Sequence, residues 1–336
     1  METTQNSTKQ TNLTWQIAVL AGPLVLQNIS QTLLGVVDTY FVSRISTEAL
    51  AAVGLSSVMF FAVLMLFRST ATSTVVFVGR AYGEQDYPKI GTAVWRSLNT
   101  IAWLSLVVLI LPWLFTVLMG VISPSESPNV RELGTSYLQI RAFEIPMVMF
   151  SSVVWGFLVG CGDSKTPMIL AWITVLLNIF LDWILVLGNL GAPSLGVVGA
   201  AWATVLANCV NMALSALILW RRTNREKFST GQARVASWPE IRNVLQIGLP
   251  MGLGDFIEIA SFSAFFALIA QLGTDILAAN QISLQYMSMS FTLGVAVSMA
   301  ASSLVAQYMG AKQFDIAEKV AYRASVLAMI GMGTIG

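Results

Sequence analysis

Histidine is absent from this chain, and charged side chains make up only 10% of its 336 residues. Losing histidine removes the commonest metal ligand, His-based catalytic triads and His proton relays. A soluble domain carries about 25% charged residues, so this chain has too few to cover a water-facing surface. Only two cysteines occur, Cys161 and Cys209, too far apart in sequence to make a metal-spaced motif. The formal net charge of +1 leaves no basic footprint for nucleic acid. No metal and no cofactor are expected.

What the chain has instead is long apolar runs. A spanning helix needs ~20 mostly apolar residues. Such runs occur at Trp15–Val42, Ala49–Val78, Thr92–Met119, Ser136–Gly160, Met168–Gly188, Gly196–Trp220, Ile241–Gln271 and Ile276–Ala306, and another starts near Val320. The pattern predicts an all-α polytopic membrane protein with about eight complete spans and part of a ninth. The first run is far longer than a signal-peptide core, so no removable leader is expected. Arg80, Lys89, Lys165, Arg221, Arg222, Arg225 and Lys312 fall on one side of these spans, whereas the other side holds only Arg44 and Arg131. The positive-inside rule then places the N-terminus in the cytoplasm of a multi-pass protein of the inner or plasma membrane.

An internal repeat organises the spans. Pro23 and Pro250, and Gly83 and Gly310, are each 227 residues apart (23 to 250, 83 to 310), and the same shift lays Thr47–Ala52 on Thr274–Ala279. Shared hydrophobicity alone does not align proline, glycine and polar residues at one constant offset. Six spans separate the matched elements, so both copies have the same orientation in the membrane. The expected layout is two pseudo-symmetric six-helix bundles, the second truncated. Residues 1–220 form the first, 221–240 a solvated cytoplasmic linker, and 241–336 the start of the second.

Ionisable side chains inside spans are costly and usually functional. Asp38, Arg68, Arg141, Glu144, Asp182, Asp255 and Glu258 are of this kind. Asn178 and Asp182 are four apart and share a helix face, as do Asp255 and Glu258, three apart. A carboxyl group in a low dielectric can exchange a proton, bind Na⁺ or pair with a cationic ligand. Asp38 and Glu258 have no cationic neighbour in local sequence, which favours function for both. Arg141 and Glu144 read better as a local structural ion pair. Asp182 with Asn178 fits a helix-packing node as well as a site. Asp255 sits near the bend expected at Pro250, where it could satisfy freed backbone groups. Pro23 and Pro250 are candidate hinges, since proline removes a helical hydrogen bond. Gly252-Leu253-Gly254-Asp255 resembles an intramembrane aspartyl protease signature, but no Tyr-Asp lies within a span to supply the second aspartate.

Several motifs then converge on a known family. They are Asp38-Thr39-Tyr40 with Thr47–Gly54, Gly79–Gly83, Gly160–Pro167, Asn178–Asp182 and Gly199–Thr204. The sequence resembles the multidrug and toxic compound extrusion family over nearly its whole length. The resemblance implies a twelve-helix, two-bundle transporter, not an enzyme. It would be a monomer in membrane lipid, exporting small organic, often cationic, compounds against H⁺ or Na⁺. Asp38, Asn178, Asp182 and Thr204 match the first-bundle site of the prokaryotic branch named for DNA-damage inducibility, and Glu258 matches the helix-7 acid of other branches. The runner-up is a lipid-linked precursor flippase of the same superfamily, and an intramembrane protease is the distant alternative.

Overall fold

The computed structural model describes residues 2–122, 128–232, 234–270 and 274–335; side chains at 2–12, 121, 122, 128, 266–270, 274–286, 288, 289 and 335 lie outside the description. The described residues are almost entirely helical, with no strand among them. In chain order the helices are α1 (Glu2–Ser43), α2 (Thr47–Thr72), α3 (Thr74–Gly83), α4 (Tyr87–Val108), α5 (Leu111–Ile122), α6 (Pro128–Ala142) and α7 (Glu144–Gly160). There follow α8 (Lys165–Leu185), α9 (Gly196–Trp220), α10 (Arg222–Phe228), α11 (Trp238–Ala270), α12 (Thr274–Gly310) and α13 (Phe314–Ile335).

Among the described residues, by length and composition, five helical segments can cross a membrane, or seven if each of two bent pairs is one span. Two of the expected spans fall outside that count. Asp315, Glu318, Lys319 and Arg323 dilute the first turns of α13, and the described side chains of α11 end at Phe265 before its apolar run is complete. The bent pairs break where proline dictates. α4 and α5 meet at 44° beside Pro112. α6 and α7 meet at 40° at Phe143, three residues before Pro146. A proline ring clashes with the carbonyl four residues back and donates no hydrogen bond. α2 and α3 stay close to one line as a 37-residue span. Their break falls in a run of hydroxyl residues, where Thr72, Ser73 and Thr74 each donate to a carbonyl three residues back. Pro23 and Pro250, by contrast, lie inside single helical elements. Apolar side chains face outward along the spans, Trp103, Trp113 and Leu217 among them, as lipid-facing helices require.

The repeat is visible in the backbone. α3 ends with Glu84, Gln85 and Asp86 N–H groups donating to Arg80, Tyr82 and Ala81 carbonyls. α12 ends with Ala311, Lys312 and Gln313 donating to Gln307, Met309 and Tyr308, the same three bonds shifted by 227 residues (84 to 311). Gln85 and Lys312, equivalent under that shift, both adopt left-handed backbone, φ 57° and 58°. The two helices cross at the same place. A Cβ on Gly83 would collide with the Gln307 carbonyl, and one on Gly310 with the Arg80 carbonyl. Gly79, whose repeat equivalent is Ala306, lies against it; a Cβ there would be 2.7 Å from the Ala306 Cβ. The crossing thus lies on the pseudo-two-fold axis. Around it α12 packs on α1 and α13, and α11 packs along α2. In the second seam Gly248 and Gly252 lie against the Thr70 and Leu66 carbonyls.

In the segment 221–240 the side chains of Arg221, Arg222, Arg225, Glu226, Lys227 and Arg234 are exposed, while the segment packs against the first bundle. α10 lies against α4 and α9. Phe228 is buried in the first bundle's core, edge-on to Phe157 at 5.5 Å and to Tyr87 at 5.9 Å. Gly91 lets this strand of chain approach, since a Cβ there would sit 2.5 Å from the Phe228 carbonyl. Trp95 Nε1 donates to the Thr230 carbonyl at 2.9 Å, and Asn99 Nδ2 to the Arg234 carbonyl at 2.8 Å. Burying the Phe228 ring is favourable, and the charged side chains beside it stay exposed.

Glu240 fastens the end of this segment. Its carboxylate accepts from the Ser237 N–H at 2.9 Å, one half of a capping box for α11, and pairs with Arg96 of α4 at 2.7 Å. The Ser237 backbone N–H, followed by its hydroxyl and the Arg96 charge, holds the Glu240 carboxyl below its ordinary value. A depressed acid contributes stability above its unfolded value, about 4.3 for glutamate, and loses it as pH falls through the folded value. Glu240→Gln is therefore expected to speed hydrogen exchange of the 229–240 amides at neutral pH. The difference from the unsubstituted protein should close on acidification below about pH 4.

Candidate functional site

Four of the residues singled out from sequence meet inside the first bundle. α1 supplies Asp38, α8 supplies Asn178 and Asp182, and α9 supplies Thr204. α8 packs between α1 and α9, so the one face that carries Asn178 and Asp182 is turned inward. Asn178, Asp182 and Thr204 are buried and Asp38 is half-buried. The Asn178 Nδ2 donates to Asp38 Oδ1 at 2.9 Å and to Asp182 Oδ2 at 3.0 Å. Its Oδ1 then faces the Thr204 hydroxyl at 3.2 Å and N–H at 3.3 Å. This amide orientation follows from its partners, because the reverse would aim a carbonyl oxygen at two carboxyl groups. One amide thus bridges the Asp38 and Asp182 carboxyl groups. Two carboxyl groups that share one donor can relieve their mutual repulsion by taking up a proton or a cation. Asp182 Oδ1 remains without a partner.

A second set adjoins the first. Arg141 pairs with Glu144 at 2.9 Å and donates to the Tyr137 hydroxyl at 3.0 Å. The guanidinium stands 4.6 Å from the Phe60 ring centroid and 5.5 Å from that of Tyr137. Asn208 of α9, which donates to the Thr204 carbonyl at 3.0 Å, also approaches the Glu144 carboxyl. Sequence spacing gave the Arg141–Glu144 pair; it carried no signal that Tyr137 and Asn208 would join it to the Asp38 group, because four separate helices make that connection.

The remaining candidates lie elsewhere. Asp255 accepts from the Ser69 hydroxyl of α2 and feels the Arg68 charge, so it belongs to the α2–α11 seam. Glu258 is exposed on α11. The Asp163 of Gly160–Pro167 is a turn device: its carboxylate accepts from the Lys165 and Thr166 N–H groups at 3.1 and 3.0 Å and so starts α8. A cavity of about 590 Å³ between α1, α3 and α12, lined by Trp15, Gln16, Tyr82 and Tyr308 among others, contains none of the intramembrane carboxyl groups. Among the described residues no cluster of three or more His, Cys, Asp or Glu side chains is arranged to hold a metal.

A protein-family profile described as MatE matches residues 23–184 and again 250–336, well over half of the sequence. The chain belongs to the MatE family. The two matches begin at Pro23 and Pro250, the offset of the internal repeat. A probable multidrug resistance protein NorM of Thermotoga maritima is 27% identical over 327 residues, 96% of this MatE chain and 68% of that protein. The multidrug resistance protein PmpM of Pseudomonas aeruginosa is 26% identical over 306 residues, 88% of this chain and 62% of that one. Among solved structures, a MATE protein in complex with MaL6 superposes with a TM-score of 0.86 at 22% identity, covering 95% of this chain and 70% of that one. An outward-facing MATE transporter of the MOP superfamily gives 0.79 at 24% identity. The MatE chain thus spans roughly two thirds of the length of its relatives. It is a membrane transporter and not an enzyme, so Gly252–Asp255 is not a protease signature. Its aspartate is engaged by Ser69 instead.

Proposed function

We propose that the complete protein is a secondary antiporter. It exports small organic, cationic drug-like compounds across the cytoplasmic membrane in exchange for H⁺ or Na⁺, by alternating access between bundles built around residues 1–220 and 241–336, with its N-terminus in the cytoplasm. The observation that carries this is the enclosed Asp38–Asn178–Asp182–Thr204 group. It holds two carboxyl groups bridged by one amide that donates to both, and one carboxylate oxygen without a partner. Such a group cannot hold a coupling ion and a cationic compound at once, which is the condition for exchange. The names of the NorM and PmpM relatives support multidrug substrates. The four residues match the DNA-damage-inducible branch, and Glu258 on α11 matches the helix-7 acid of other branches. The test is efflux of a panel of cationic dyes by the complete protein in proteoliposomes under imposed H⁺ or Na⁺ gradients. Gradient-driven dye efflux is expected; flipping of a lipid-linked sugar with no dye efflux would sink the proposal in favour of a flippase.

A further inference from the structure

Arg141 ends α6 and Glu144 opens α7, so their ion pair occupies the 40° bend between those helices. The pair is enclosed: the side chain of Arg141 is 13% exposed and that of Glu144 2%. An ion pair serving only to hold a bend would use its remaining N–H and lone-pair sites, because buried polar groups left unmatched are costly. Here Arg141 Nε and Glu144 Oε2 both lack a hydrogen-bond partner, as does Asp182 Oδ1 nearby. Tyr137, which accepts from Arg141, shares a hydrophobic cluster with Val37 and Val42 of α1, Ile179 of α8 and Val186 just after it; these two helices carry Asp38 and Asp182.

Charge counting in this chamber gives Arg141 a task. The groups that face it are Asp38 from α1, Tyr137 from α6, Glu144 from α7 and Asp182 from α8. α2 contributes Ser57 and Phe60, and α9 contributes Thr204 and Asn208, all uncharged. With Glu144 ionised and one proton between the aspartates, three carboxyl groups and one guanidinium leave a single net negative charge. Releasing that proton leaves two. Among the described residues Arg141 is the one cation that acts on them.

We propose that Arg141 is a positioning residue for ion coupling, an internal cation shared between Glu144 and the Asp38–Asp182 pair. It leans toward the pair when the proton leaves and returns to Glu144 when a proton, ion or cationic compound takes the pair again. The two orphaned atoms, Nε and Oε2, are the spare contacts such an exchange of partners requires. The inference rests on the coupling function proposed above.

The experiment compares Arg141→Gln, Arg141→Lys, Glu144→Gln and the double glutamine variant in the complete protein. Two readouts are taken: the pH profile of gradient-driven efflux, and the protonated-carboxyl stretch in difference infrared spectra. Removing the cation favours the protonated pair, so Arg141→Gln should move both midpoints to higher pH, by about one unit or more. Removing the competing carboxylate frees the cation, so Glu144→Gln should move them to lower pH. The double variant should fall between, and Arg141→Lys should keep the original midpoint at a reduced rate. A pair that is only structural predicts equal loss of thermal stability in the two single variants with midpoints unmoved, and that result overturns the proposal. If Arg141→Gln does not assemble, an unmoved midpoint in Glu144→Gln overturns it alone. Opposite infrared shifts in a protein without gradient-driven efflux would uphold Arg141 and overturn the antiport function instead.

Discussion

Asp38→Asn in the complete protein is expected to reduce ion-driven efflux in proteoliposomes to background while leaving the protein folded. Asparagine keeps the size of aspartate, so the α1–α8 packing survives. Its NH₂ can donate to Asp182 permanently, which imitates the proton-loaded pair. The pair then has no proton to surrender, and the cycle stops at one protonation state. Asp182→Asn should do the same from the other side. Because the two carboxyl groups share the Asn178 donor, their effects should not add: the double variant should lose no more than either single one. Coupled efflux that survives Asp38→Asn unchanged would take this residue out of the mechanism. Asn178→Ala offers a graded control. It removes the donor to both aspartates at 2.9 and 3.0 Å, and a hydrogen bond to a charged group is worth about 1.5–3 kcal/mol. Efflux should therefore weaken without disappearing.

The second large effect is expected at the crossing of α3 and α12. Gly83→Ala or Gly310→Ala inserts a methyl group into a backbone carbonyl of the opposite helix. The helices have no flexible side-chain end there to yield, so they must separate. Overpacking of this kind costs about 1–3 kcal/mol, and 1.4 kcal/mol is tenfold in a population ratio. Arrangements with the crossing open should gain by that factor. Spin labels at the equivalent exposed positions Glu84 and Ala311, in protein with Cys161 and Cys209 replaced by Ser, report the separation directly. A distance distribution that stays narrow and short in both alanine variants would show that the crossing is not held by close approach. Since Gly83 and Gly310 are related by the pseudo-two-fold, the two substitutions should act alike, which is a stringent internal check.

Much of this was legible in the sequence, and the exceptions have physical causes. The apolar runs located the spans, and the constant offset of proline and glycine located the repeat that the α3 and α12 hydrogen bonds reproduce. Helical spacing placed Asn178 and Asp182 on one face. Spacing could not say what that face meets, because α1 and α9 come from distant stretches of chain. The charges of 221–240 lie in solvent, but they carried no sign that one apolar ring, Phe228, and the notch at Gly91 fasten that segment to the first bundle.

Phe228 changes the mechanics of the whole chain. Once its ring is seated in the first bundle, residues 222–230 travel with that bundle, and the free tether to α11 shrinks to residues 231–237. Seven residues fully extended reach roughly 25 Å, and the Arg234 carbonyl bond and the Glu240–Arg96 pair shorten this further. The two halves are therefore leashed at that end of the molecule. Large excursions there require the leash to be let out, whereas the opposite end carries no such restraint from this segment.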